Sequence, residues 1–266
     1  MLLRQKLSAM LMHLLASSLL VGSILAIVLF AWYPPPYFQA LDAWNVVKLL
    51  IGIDLILGPI LTFIVFRPKK PTLVMDLSVI AAVQLAALFY GAGVVYQERP
   101  SFMVFSGNRF EIFARRDVDL GQLTDPQLAE KPLRGPRLLV APMPDDPAAR
   151  AQLIGDMLAG KQASLHFEPM FWKPFDEGRE LAIAEAQPLA RLAAIDGDAA
   201  RRVARATKRH AGGEQALGYI AMTGRGRHLA VLVDLGTGRP VDIVDVDPRR
   251  ARSPAPAHGG QRVAAP

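Results

Sequence analysis

No cysteine occurs anywhere in the 266 residues. This removes disulfides, thiolate metal sites and cysteine nucleophiles from consideration, but it does not fix the compartment, because exported bacterial domains can also lack cysteine. Other chemistry is missing too. There is no Gly-x-Ser-x-Gly elbow and no Walker-type phosphate loop, and Gly224-Arg225-Gly226 and Gly236-Thr237-Gly238 are short turns rather than phosphate cradles. His13, His166, His210, His228 and His258 show no metal-ligand spacing. Charge is absent from one long stretch, since between Leu7 and Trp32 only His13 could carry any. The expectation is a chain that is not an enzyme, with no catalytic residue, metal, cofactor or small-molecule substrate. Its net charge of +6 lies largely in membrane flanks and an arginine-rich tail, so no nucleic-acid partner is expected.

What the chain has in abundance is apolar sequence. Three runs, at about residues 7–32, 46–66 and 77–96, each match the ~20 residues that a helix needs to cross ~30 Å of hydrocarbon. The first is too long for the core of a cleaved signal peptide, and it ends in Trp32-Tyr33-Pro34-Pro35-Pro36 without a small-x-small site. Trp32 and Tyr33 suit an interfacial aromatic anchor. Lysine and arginine set the orientation. Arg4 and Lys6 precede the first run, and Arg67, Lys69 and Lys70 fill the hinge before the third, so both flanks are expected in the cytoplasm. The connection from Tyr33 to Ala43 has neither residue, and Lys48 can snorkel to that outer side. The sequence therefore predicts a multi-pass membrane protein with three transmembrane α-helices in residues 1–96 and a large domain on the outer side, which for a bacterial inner membrane is the periplasm. The amino terminus is cytoplasmic, and a periplasmic α+β domain occupies 97–247.

In that domain Phe102, Val104 and Phe105, then Ser106-Gly107-Asn108, then Phe110, Ile112 and Phe113 read as strand, turn and strand. Residues 117–136 read as a loop and Arg137–Ala141 as a short strand. An amphipathic helix is expected from Pro147 to Ala159, with Asp145 or Asp146 as cap. The segment 161–176 is dense in Phe and Trp, and helices are expected over 177–194 and 198–210. Three strands close the domain, at Leu217–Thr223, His228–Leu235 and Pro240–Val246. Strands at both ends with helices between them imply an α+β fold with a partly antiparallel sheet whose first and last segments pair. Residues 248–266 cannot bury a core and are expected to be disordered.

Asp54 is the costliest residue in the chain, because an acid near the centre of a bilayer must be paired, protonated or turned to a polar cavity. Counted along their helices, Asp54 and Gln84 both lie about halfway through their runs, so the two can meet at the midplane. One reading is an Asp54–Gln84 contact that glues the hairpin. The other is a groove for the transmembrane helix of another protein, formed by Asp54 with Gly58, Pro59 and Gln84. Pro59 frees a carbonyl there, and Gly58 lets a second backbone approach. An aspartyl dyad with Asp76 is ruled out by a depth difference of roughly 15 Å at about 1.5 Å per residue. Arg201, Arg205 and Arg209 fall at i, i+4 and i+8 and form a basic stripe, either solvated or a landing site for an acidic surface or membrane lipid.

Several of these segments carry a resemblance. Met12-His13-Leu14-Leu15, Trp32-Tyr33-Pro34, the run from Gly52 to Thr62, Asp76-Leu77-Ser78-Val79-Ile80 and Gln84-Leu85-Ala86-Ala87-Leu88 resemble the type IV pilin accessory proteins, the TfpX/TfpZ family. So do Val95-Tyr96-Gln97-Glu98-Arg99-Pro100, Phe102-Met103-Val104-Phe105 and Asn108-Arg109-Phe110. Leu229-Ala230-Val231-Leu232-Val233-Asp234 with Gly236-Thr237-Gly238 is similar to that family's closing hairpin. The likeness covers about residues 5–247, is strong over the first 115 and is diffuse between 117 and 215. It implies a pilin-specific chaperone that modulates type IV pilus assembly, with a cognate type IV pilin as partner. The competing expectation is a membrane-anchored sensor or ligand-binding module.

Overall fold

The computed structural model describes residues 2–41, 44–130, 132, 134–159, 165–210 and 213–251. The amino-terminal part is helical. Helix α1 (Leu2–Ile27) continues through a π-helical turn at Val28–Trp32, a short α2 (Tyr37–Ala40) follows, and α3 (Trp44–Ile51) leads through a second π turn, Gly52–Leu57, into α4 (Gly58–Val65). A long α5 (Leu73–Gln97) then runs to the sheet domain. Among the described residues two helices, not the expected three, are long and apolar enough to cross a membrane: Leu2–Trp32 and Leu73–Gln97. In the middle run the apolar helix is Gly52–Val65 only. The backbone itself is helical from Trp44 to Val65, through the π turn that holds Asp54, and it ends where Phe66 turns extended (ψ 117°) ahead of Arg67-Pro68. The segment nevertheless runs back along the bundle. Leu41 packs into the sheet core, while the Ile64 carbonyl accepts from Lys6 Nζ at 3.4 Å at the opposite end.

Eight strands form one mixed sheet: β1 (Pro100–Ser106), β2 (Arg109–Ala114), β3 (Arg137–Val140), β4 (Lys173–Pro174), β5 (Gln187–Pro188), β6 (Leu217–Gly224), β7 (Arg227–Asp234) and β8 (Pro240–Val244). The order is β4-β3-β1-β2-β6-β7-β8, with β5 beside β6. Hairpins β1–β2, β6–β7 and β7–β8 are antiparallel, whereas β1–β3 and β2–β6 are parallel. The first hairpin therefore joins the last through β2 and β6. The β1–β2 turn is the two-residue Gly107-Asn108, and Gly107 takes φ +59° there, as a glycine can without a Cβ clash.

Both sheet faces are covered, which explains why β1 is buried at every position rather than alternating. On one face Met103, Phe105, Phe110, Ile220, Met222 and Val231 pack with Ala182 of α7 (Arg179–Glu185), after α6 (Pro147–Leu158) in the chain. The other face is divided. Leu232 and Val244 meet α8 (Leu189–Ala193) and α9 (Gly197–Thr207), while Phe102, Val104 and Leu139 meet Leu128, Leu153 and Trp172. The aromatic segment is divided: Trp172, 5.5 Å from the Phe102 ring and 5.9 Å from that of Phe113, and Phe175 are core, while Phe167 and Met170 are exposed.

Three further expectations are corrected. The helix over 177–194 is two helices separated by β5, because Pro188 lacks an N–H and excludes α geometry before it. The helix expected to reach 210 ends at Thr207, leaving Arg209 beyond it. Residues 248–251 form a 3-10 turn with Pro248 buried, not a disordered start to the tail; residues 252–266 lie outside the described residues. The expected loop over 117–136 is compacted into short 3-10 turns that bury Leu123 and Leu128. Asp146 caps α6, accepting from Ala149 N at 2.9 Å.

The helices and the sheet share one core. Val28, Tyr33, Leu41 and Val95 belong to the same buried cluster as Phe105 and Val231. Tyr33 is 1% exposed and donates its hydroxyl to Val95 O at 3.3 Å, and burial pushes its phenol up to about 12.

Candidate functional site in the helical bundle

Two pairs of polar side chains tie the apolar helices together among the described residues. Gln84, in the middle of α5, donates from Nε2 to Asp54 Oδ1 at 3.4 Å and to the Asp54 carbonyl at 3.5 Å. Both residues are buried. The carbonyl is free for a definite reason. In the π register the Gly58 N–H bonds Ile53 O, so the next donor due, at Asp54 O, is Pro59, which has none. Gln84 takes that place. Asp54 Oδ2 and Gln84 Oε1 remain buried without a partner among the described residues. The second pair joins α1 to α4, with Thr62 Oγ1 and His13 Nδ1 at 2.8 Å. Helix α4 is thus tied to α1 through Thr62, and the π turn before it is tied to α5 through Gln84.

Gly58 is the seat of this arrangement. A Cβ there would lie 2.0 Å from Gln84 Nε2 and 2.6 Å from its Cδ. Gly58 and Pro59 are themselves buried. All four predicted residues, Asp54, Gly58, Pro59 and Gln84, therefore come together, and the close approach that Gly58 permits is taken by this chain's own α5.

An open groove lies elsewhere in the bundle. Toward the end away from the sheet, a cavity of about 530 Å³ is lined by Ser8, Met12, His13, Thr62, Leu77 and Ala81. It opens where α1 and α5 flank α4, and Ser8 and Ala81 keep its walls low. Sequence spacing does not reveal it, because it depends on how the helices cross. Asp76 belongs to neither site: it lies in the first turn of α5, where Lys70 Nζ and Thr72 Oγ1 donate to it.

Each arginine of the basic stripe makes a contact within the domain. Arg201 meets Asp198 at 3.3 Å, Arg205 Nε donates to Arg201 O at 3.4 Å, and Arg209 reaches Asp242 of β8 at 2.6 Å. In the sheet domain a cavity of about 600 Å³ lies at the far end of β1 and β3, lined by Phe105, Asn108, Ala141, Met143, Leu181 and His166. His166 Nε2 lies 3.1 Å from Arg109 O, and burial holds its imidazole below the usual histidine range.

Comparison with known proteins supplies the context for this geometry. The chain is 30% identical over 182 residues to the fimbrial assembly protein of serogroup I from Dichelobacter nodosus, covering 67% of this chain and 70% of that protein. The serogroup E1 protein of the same organism is 29% identical over 182 residues, covering 67% and 70%. The protein of serogroups C1 and C2 is 34% identical over 113 residues, covering 42% and 86%. The chain belongs to this fimbrial assembly protein family. Membership supports a role in pilus assembly. No protein-family model and no solved structure matches the chain.

Within this family member, Gly58→Ala tests whether the Gln84 seat is an energetic contact. The amide is the end of a flexible side chain, so it is expected to swing away from Asp54 rather than unfold the bundle. The expected cost is about 1 kcal/mol, on the scale of intramembrane hydrogen bonds. Detergent unfolding of Gly58→Ala, Gln84→Ala and the double variant measures it. The double variant is expected to lose no more than Gln84→Ala alone, and simple addition of the two losses would show that the seat carries no coupling.

Proposed function

We propose that the chain is a type IV pilin accessory protein of the TfpX/TfpZ kind, a non-enzymatic chaperone that attends a cognate type IV pilin in the bacterial inner membrane. The observation that carries the membrane half is where the apolar side chains face. Leu15 is 67% exposed, Leu19 70%, Val83 64% and Phe89 63%, so both long helices present large apolar surface outward, a pattern that a soluble fold avoids and a bilayer rewards. Helices α1 and α5 would cross in parallel, with α3, the Gly52–Leu57 turn and α4 returning between them. The basic flanks at Arg4, Lys6, Arg67, Lys69 and Lys70 would be cytoplasmic and the sheet domain periplasmic.

The pilin helix would rest in the groove beside Ser8, Met12 and Ala81, because the Asp54, Gly58 and Pro59 face is filled by Gln84. Small side chains allow the close helix approach that drives association in lipid. The sheet domain would meet the pilin head. Relatives named for fimbrial assembly support this reading at the level of the pathway. The second reading, a ligand-binding module, draws on the apolar cavity of about 600 Å³ beside His166.

Photocrosslinking from Met12 and from Leu181 in cells that express the cognate pilin separates the two readings. Pilin adducts from Met12, with fewer surface pili in a deletion strain, are expected. Unchanged surface pili and unchanged cellular pilin after deletion would remove the chaperone role.

A further inference from the structure

Arginines ring the ends of the two long helices nearest the sheet. At the end of α5, the Arg99 guanidinium carbon lies 3.5 Å from the centre of the Tyr96 ring, and its Nη1 donates to Tyr96 O at 2.6 Å. Arg116, just past β2, pairs with Glu98. Arg225, in the β6–β7 turn, reaches the same carboxylate and the Glu98 carbonyl. At the end of the first long helix, Arg134 Nε donates to Phe30 O at 2.9 Å.

These contacts satisfy helix carbonyls, as cations at helix C-termini do, yet capping accounts for only part of the arrangement. Arg116 and Arg225 share Glu98, with Asp117 3.6 Å from Arg116 Nε, whereas Arg99 and Arg134 pair with no carboxylate among the described residues. Two positive charges are left over. Arg99 and Arg134 each commit one of five N–H donors to a backbone carbonyl, so most of their donors stay available. Arg225 also takes φ +50° in a two-residue turn, a position where glycine, asparagine or aspartate relieves the Cβ clash. The arginine at that position holds a guanidinium at the end of α5. Arg99 further runs against the orientation bias, because it places a cation on the flank that positive-inside sorting leaves poor in them.

The surrounding residues fix the depth. Trp32 packs edge-on against Tyr96 with centroids 5.0 Å apart, and Tyr96 (45%) and Trp44 (43%) are exposed. Amphipathic rings of this kind sit at headgroup level. We infer that Arg99, Arg116, Arg134 and Arg225 form a collar that binds the phosphate of anionic phospholipid in the leaflet beside the sheet domain. Guanidinium matches phosphate bidentately, and stacking on Tyr96 pre-orients Arg99 for it. The lipid site is thus at the junction of helices and sheet, where the aromatic rings lie, and not on the α9 stripe.

This inference rests on the membrane-spanning reading, and the test separates the two. Full-length protein is reconstituted in phosphatidylcholine vesicles carrying brominated phosphatidylglycerol or brominated phosphatidylcholine, and tryptophan quenching is read, with Trp32 nearest the collar. Quenching of the wild type is expected to favour phosphatidylglycerol roughly fivefold or more, the effect of about one arginine near a charged surface. Arg99→Gln with Arg116→Gln, which leaves the Arg225–Glu98 tie in place, is expected to remove most of that preference at unchanged melting temperature. Equal quenching by the two lipids in the wild type overturns the collar. Loss of the preference on adding 10 mM inorganic phosphate, at constant ionic strength, overturns the lipid as occupant in favour of a free anion. Failure of the protein to float with the vesicles at all would instead overturn the membrane reading.

Discussion

Phe110→Ala is expected to lower the stability of the sheet domain by about 3–5 kcal/mol, the range for truncating a fully buried phenylalanine. Phe110 is 0% exposed and stands in β2, the middle of the sheet. Its ring lies 5.1 Å from that of Phe105 on the neighbouring strand and 6.3 Å from that of Phe175 across the core. The vacated space cannot readily collapse. Strand β2 is fixed in register by β1 on one side and β6 on the other, so the walls of the cavity are held by backbone pairing. Against a typical domain stability of about 5–15 kcal/mol, the loss is about a fifth or more of the total. Denaturant unfolding of the full chain in mild detergent, followed by Trp172 emission, gives the value. Phe89→Ala, removing a ring that is 63% exposed on α5, is expected to leave the same transition unmoved. A loss below about 1.5 kcal/mol for Phe110→Ala would mean that the sheet can close over the gap and is less rigidly paired than its register implies.

Parts of this architecture were legible because their causes are local. The β1–β2 turn rests on Gly107, the β6–β7 and β7–β8 hairpins on apolar runs around short turns, and the α6 cap on Asp146. The Asp54–Gln84 contact was reachable from helix rise alone, since both residues fall about halfway along their segments and an apolar setting leaves few other partners. What sequence spacing missed has causes that are not periodic. The middle apolar run has the composition of a span, and hydropathy does not register the change of hydrogen-bond register at its π turn, Gly52–Leu57. Pro188 was a visible signal against one helix over 177–194 and outweighs the helical spacing around it. The Arg225–Glu98 tie joins residues 127 apart in the sequence, and the groove lined by Ser8, Thr62 and Ala81 follows from helix crossing. Both depend on how elements meet in space. The shared core around Tyr33 is of the same kind: a residue that reads as an interfacial anchor proves to be buried between helix end and sheet.

Val83→Arg is expected to deplete the protein from membranes, whereas Leu158→Arg is expected to do nothing measurable. The two sites are alike by exposure, with Val83 64% and Leu158 84% exposed, and in water neither change would move stability by more than about 0.5 kcal/mol. Their surroundings differ if α5 crosses a bilayer. Val83 lies near the centre of Leu73–Gln97, where arginine costs about 2.5–3.5 kcal/mol on an insertion scale and valine is mildly favourable, a shift of roughly a hundredfold in the insertion equilibrium. Leu158 ends α6 in the sheet domain, where arginine is solvated. Gln84 lies one residue along the helix but on its buried side, so arginine at 83 does not disturb the Asp54 contact directly. Carbonate-resistant membrane protein and total protein, measured for the wild type and both variants, give the comparison. Equal membrane yields for Val83→Arg and Leu158→Arg would mean that the outward apolar face of α5 is covered by protein, not lipid, and the topology would have to be rebuilt from that contact.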